Sequence, residues 1–162
     1  MPFLDPRLSV DQVDAVRWRL NVPLAYGHEG KVYAVPEGYI TDFASVPRLI
    51  WPLIPRYGVH TAAAVLHDCL ITDELPRGEI TSREIDRIFR EALNELGVSF
   101  ARRWLMWTGV RWGAVLNPAR RRGVLRDLPL MLLLSVLALP FVLPALAFAP
   151  SLALFTVLDK IT

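Results

Sequence analysis

An α+β fold, a small antiparallel sheet followed by a helix pair, a third helix and a C-terminal transmembrane segment, is predicted by three patterns in this 162-residue sequence. Apolar and polar residues alternate with period two from Val16 towards Tyr26, and two short strand-like runs follow by Phe43, which marks a small sheet. Between His60 and Leu116 the apolar spacing becomes helical, with a capping signature at Thr81. Beyond Asp127 charge almost vanishes, and only Asp159 and Lys160 remain.

The strands come first. Val16 to Tyr26 alternates through Val-Arg-Trp-Arg-Leu-Asn-Val and reads as one strand. Lys31 to Val35 reads as a second after the Gly27 and Gly30 turn, and Tyr39 to Phe43 as a third after Pro36-Glu37-Gly38. A Pro-rich stretch, Pro47 to Pro55, separates them from the helices. His60 to Ile71, rich in Ala and Leu, is expected to be a buried helix that ends before Thr72-Asp73 and a turn around Pro76-Arg77-Gly78. The second helix opens on the capping box Thr81-Ser82-Arg83-Glu84. Its stripe Ile85, Ile88, Phe89, Ala92, Leu93 and Leu96 falls on one face. Ser99 to Leu116 forms the third helix, where Trp104, Trp107 and Trp112 alternate with Arg102, Arg103 and Arg111. That mixture suits either a membrane interface or core packing.

The mean hydropathy of +0.34 is high for a soluble domain. Its source is the 31-residue segment Leu128 to Leu158, where about 20 apolar residues suffice to cross a bilayer as a helix. Prolines 129, 140, 144 and 150 leave two shapes open, a kinked single span or a hairpin turning at Pro140 to Pro144. The domain expectation is therefore a globular body over residues 1–119, a basic juxtamembrane collar over 120–127 and an anchor over 128–158. Arg120, Arg121, Arg122 and Arg126 in the collar place the body on the cytoplasmic side of a bacterial inner membrane by the positive-inside rule. Met1 to Ser9, with Asp5 and two prolines, has no apolar core of a secretory signal. The basic excess is confined to residues 99–127, with seven arginines and one aspartate. Residues 1–98 hold ten basic and fourteen acidic groups, so no nucleic-acid partner is expected. The single cysteine, Cys69, excludes an internal disulfide and reads as a small buried hydrophobe.

His67-Asp68 on the first helix and Asp86 on the second are the candidate chemistry. Neighbouring helical residues point about 100° apart, so His67 can face the partner helix while Asp68 faces a loop. Ala63 and Ala64, one turn before His67, allow the second helix close approach. Asp86 borders the apolar stripe and needs a partner there. A His-Asp dipeptide is common by chance, and a polar pair that merely joins two helices in the core is the plain alternative.

The segments Gly38 to Arg48, with its octet Thr-Asp-Phe-Ala-Ser-Val-Pro-Arg, then Trp51, Ala62 to Asp68 and Arg83 to Phe89 resemble an uncharacterised family of small phage and prophage-associated proteins. More distantly, His67-Asp68 followed by Asp86-x-x-Phe89 is similar to the catalytic helix pair of phospholipase A₂. That resemblance implies a lipid-ester hydrolase in which His67 is the general base, Asp86 orients it and Asp68 binds Ca²⁺. Ile71 stands where a Tyr is usual, and the Gly-rich calcium loop and disulfides are absent, so further ligands are expected from Asp42 and carbonyls of Thr41 to Ser45. The partners implied are a lipid bilayer and a phospholipid substrate.

Rival readings use the same residues. Ser45 with His67 and Asp86 forms a nucleophilic triad, although no Gly-x-Ser-x-Gly elbow surrounds Ser45. A metal phosphohydrolase would recruit His28 or His60 to His67-Asp68. Arg48 binds an anion or pairs with an acid, and Trp51 is expected in the core. The non-catalytic alternative is a phage-encoded, membrane-bound adaptor or assembly protein in which His67 and Asp86 are structural.

Overall fold

The computed structural model of the chain describes residues 3–44, 46, 50–51, 53–151 and 154. Its β layer is two small antiparallel sheets rather than one. The strands are β1 (Val10–Gln12), β2 (Trp18–Leu20), β3 (Leu24–His28), β4 (Lys31–Val35) and β5 (Ile40–Thr41), paired β1-β2-β5 and β3-β4. The expected strand from Val16 to Tyr26 divides because Pro23 supplies no backbone donor and restrains Val22 before it, so Trp18 to Leu20 and Leu24 to His28 join different partners. Glu29 and Gly30 both adopt positive φ, 47° and 81°, which closes the β3-β4 hairpin as a two-residue turn matched to strand twist.

Helix α1 (Thr61–Cys69) does not stop before Thr72. It widens into a π-helical turn, Leu70–Glu74, and tightens again as α2 (Leu75–Arg77). The Thr72 hydroxyl bonds back to the carbonyls of Asp68 and Cys69, and Pro76 sits in the first turn of α2, where its missing donor costs little. Gly78, at φ 75°, ends the segment.

Helix α3 (Ser82–Glu95) starts where the capping signature places it. The Thr81 hydroxyl accepts from the Glu84 amide at 3.2 Å, while the Glu84 carboxylate leans toward Arg87. Ile85, Ile88, Phe89, Ala92 and Leu93 are buried against α1 and against Leu20, Leu24, Tyr26 and Val35 of the sheets. Helix α4 (Phe100–Leu116) packs on α3, and α5 (Val124–Ala147) packs on α4. A second core of Trp107, Ala114, Val124 and Met131 seals that last contact.

Helix α5 begins inside the basic stretch and runs unbroken past Pro140 and Pro144, so the chain does not turn back there. Its stretch Val124–Pro144 has a mean hydropathy of 2.0, long and apolar enough to cross a membrane. The last residues of the expected anchor, 152–153 and 155–158, lie outside the described residues.

Candidate functional site

Asp86 is the centre of the site. It lies on the buried face of α3, with Ile85 before it and Phe89 one turn on, and has no solvent exposure. His67 reaches it from α1: Nε2 is 2.7 Å from Asp86 Oδ1, with the imidazole against the Phe89 ring at 4.6 Å. Ala63 and Ala64 are buried one turn below, as close helix approach requires.

Two cations that the sequence reading leaves out of the site complete it. Arg120 donates to Asp86 Oδ1 at 2.6 Å and to Ser82 Oγ at 3.2 Å, and Arg111 donates to Asp86 Oδ2 at 2.8 Å. Arg111 also bonds Asp127 Oδ2 at 2.8 Å, and Arg83 holds the other Asp127 oxygen. Burial by itself would raise the pKa of Asp86, but the His67 hydrogen bond, the charge of Arg120 and the Arg111 hydrogen bond hold it below the ordinary carboxylate value. An ionised carboxylate only accepts hydrogen bonds, so the proton between Asp86 and His67 belongs to Nε2. A neutral imidazole then keeps its lone pair on Nδ1, which has no hydrogen-bond partner among the described residues.

Arg111 was legible in principle. Trp104, Trp107, Arg111 and Ala114 share one face of α4, and a guanidinium on a buried face requires a buried acid. Arg120 carried no such signal, since it belongs to a run of three arginines. It is turned inward, while Arg121, Arg122 and Arg126 remain exposed.

Asp68 faces away from this cluster, as a neighbour on a helix must. Its Oδ2 accepts from the Tyr39 hydroxyl at 3.0 Å, and among the described residues no Lys or Arg pairs with it. Burial raises its pKa, and the nearby charges of Asp42 and Asp73 add to that shift. Phe43, next to Asp42, holds a left-handed φ of 67°, a strained conformation for a bulky residue.

His67, Asp68, Asp42 and Arg120 are among the residues that line a cleft of about 790 Å³. Its other walls are apolar: Phe43, Ile50 and Ile54 from the loop after β5, Gly109 and Gly113 from α4, and Ala138, Leu139 and Val142 from α5. A Cβ at Gly109 or Gly113 would meet nothing within 4 Å, so these glycines leave the cleft open. Ile71, in place of the expected Tyr, lines the cleft, and Arg111 and Arg120 provide donors to Asp86.

The remaining candidates lie elsewhere. His28 is held by Glu91 at 3.3 Å and Arg87 on the hairpin side, and His60 is buried where α1 begins. Cys69 is buried, and desolvation with Asp73 beside it pushes its thiol up to about 12, which makes it a poor nucleophile. Trp51 is not a core residue: 37% of it is exposed, and its indole donates to the Val46 carbonyl. The stripe on α4 divides. Trp107 and Arg111 are buried, Trp104 stacks under Arg90 at 4.4 Å, and Trp112 is partly exposed, with its indole donating to Ser135 of α5. Ser45 and Arg48 lie outside the described residues. Among the described residues, no three His, Cys, Asp or Glu side chains converge as a metal-binding group.

These features define an α+β protein with a buried His-Asp pair beside an apolar cleft and an apolar helix on its flank. Residues 18–110 match the family described as protein of unknown function DUF1353, and the chain belongs to that family. The matched stretch contains Asp42, His67, Asp68 and Asp86 but stops one residue before Arg111, so the cations on Asp86 and the whole of α5 fall outside it. No curated protein and no solved structure matches the chain.

Proposed function

We propose that the protein is a membrane-anchored hydrolase of lipid esters, with His67 as general base, Asp86 as the group that orients it, and a bilayer phospholipid as substrate. The observation that carries the reading is the His67–Asp86 pair, 2.7 Å apart, with His67 lining a mostly apolar cleft walled in part by α5. The hydrogen bond to Asp86 occupies Nε2 and leaves Nδ1 to take a proton from water. An acyl chain is the occupant that the aliphatic walls suit, because burying it there returns roughly 25 cal/mol per Å² of apolar surface.

Asp68 and Asp42 are the carboxylates that would hold a divalent cation of the Ca²⁺ type. They are hard oxygen donors that both line the cleft, and the charge of Asp42 makes that of Asp68 less favourable until a cation is present. When bound, such a cation supplies polarisation of the ester carbonyl. The test is release of labelled fatty acid from phospholipid vesicles by the full-length protein, with and without a calcium chelator. Release that stops with chelator supports the reading; background release in every arm removes it.

One observation favours a second reading, the membrane-bound adaptor in which the pair is structural. Arg111 and Arg120 already neutralise Asp86, as expected of a carboxylate whose task is to join α3 to α4 and to the segment before α5.

A further inference from the structure

The cleft is mostly apolar, so the few polar groups on its walls decide what head group an occupant carries. Most of their donors are already committed. The Thr108 hydroxyl donates to the Trp104 carbonyl, the Ser135 hydroxyl to the Met131 carbonyl and the Trp112 indole to Ser135. His67 commits Nε2 to Asp86. Arg120 differs. It is only 6% exposed, and Ser82 and Asp86 hold its Nε and Nη2, but Nη1 has no hydrogen-bond partner among the described residues. Buried donors are satisfied as a rule, and this side chain lines a cleft through which an acceptor can reach it.

Charge makes that acceptor an anion. The guanidiniums of Arg83, Arg111 and Arg120 meet the carboxylates of Asp86 and Asp127, three positive charges against two negative. Burial lowers the pKa of Arg120, a penalty that a second counter-charge relieves. Asp68 and Asp42 limit the size of the incoming charge. Both line the same cleft, and Asp68 is already less easily ionised through burial and the charge of Asp42. A head of one negative charge meets both conditions, whereas a phosphate monoester, close to two negative charges at neutral pH, does not.

The walls set the rest of the occupant. A volume of about 790 Å³ falls within the roughly 300–1,000 Å³ of small-molecule sites. Ile50, Ile54, Leu105, Leu139 and Val142 offer it neither donor nor acceptor from their side chains.

We propose that the cleft is a binding site for a long-chain fatty acid, its carboxylate on Arg120 Nη1 and its chain along the apolar walls. Such an acid is also what ester cleavage would leave behind, so the assignment deepens the hydrolase reading without requiring it. Fatty-acid binding without vesicle hydrolysis sustains this proposal and removes that reading.

Palmitate labelled at its carboxyl carbon, added to the full chain in phosphatidylcholine nanodiscs with a calcium chelator present, is followed by nuclear magnetic resonance. A bound carboxyl signal is expected apart from that of lipid-dissolved palmitate, ionising at a lower pH because Arg120 favours the charged form. Unlabelled palmitate should displace it roughly ten- to a hundredfold more effectively than hexadecanol, the worth of a charge-assisted hydrogen bond. Hexadecyl phosphate should compete less well than palmitate. No separate signal, equal displacement by acid and alcohol, or stronger displacement by the phosphate overturns the proposal. Arg120→Gln, in which Asp86 keeps Arg111 and His67, is expected to melt cooperatively and to lose the preference for acid over alcohol; a preference retained there also overturns it. Should that variant not fold, the acid and alcohol comparison on the native protein decides alone.

Discussion

At the scale of single residues, Asp86 and Asp68 occupy opposite electrostatic situations, and their variants should behave in opposite ways. Asp86 has no exposure and answers two guanidiniums and an imidazole. Asp86→Asn leaves the buried Arg120 without its counter-charge and Arg111 with Asp127 alone, a change that costs about 3–5 kcal/mol and lowers the melting temperature measured by circular dichroism by roughly 10 °C. Because its pKa is lowered by folding, Asp86 contributes stability above the ordinary carboxylate range and loses it as the pH falls through its folded-state value, so acid unfolding should be shallower in Asp86→Asn. The pKa of Asp68 is raised, so its charged form opposes folding at neutral pH and that penalty disappears in acid. Asp68→Asn, which still accepts from Tyr39, is expected to melt about 2–4 °C higher without calcium and to lose any calcium-dependent stabilisation. The pairing of His67 with Asp86 was legible from helical spacing and the alanines beneath it. The Tyr39 contact to Asp68 was not, because it joins residues 29 apart through a loop that no periodicity describes.

At the scale of elements, the helices were more legible than the strands. Thr81 stops the chain before α3 by accepting the Glu84 amide, a local event whose residues adjoin in sequence. The sheet pairings are long-range: β2 finds β5 across the intervening hairpin, and β1, only three residues long, has too little alternation to be seen. The π-helical turn at Leu70–Glu74 was hidden for a similar reason, since a turn of that kind is chosen by packing rather than propensity. On α4, Gly109 and Gly113 keep the cleft open at the expense of helix propensity. Gly109→Ala is expected to stabilise the protein by up to about 1 kcal/mol, because its Cβ has free space. Gly109→Trp should instead fill the cleft and suppress vesicle hydrolysis with little change in melting temperature. A bulky residue there that leaves hydrolysis intact would mean that the substrate does not use the cleft.

For the whole molecule, the sequence pattern separates a charged body from an apolar tail, and the structure joins them again through buried charge. Arg120 leaves the collar to reach Asp86, and Asp127 fastens the first turn of α5 to Arg111. The apolar tail was legible because composition alone reveals it. Its docking on α3 and α4 was not, because that depends on two ion pairs and one indole bond between distant residues. The His-Asp pair thus shares its counter-ion Arg111 with the apolar helix α5, so the site and that helix form one folded unit. The claim that this pair performs chemistry is tested most directly by His67→Ala in the full-length protein, with fatty-acid release and melting temperature measured on the same sample. Loss of a hydrogen bond to a charged group costs about 1.5–3 kcal/mol, which leaves Asp86 still paired with both arginines and the protein folded. If the pair performs chemistry, release falls to background in a protein that still melts cooperatively; release equal to that of the native protein would rule the chemistry out.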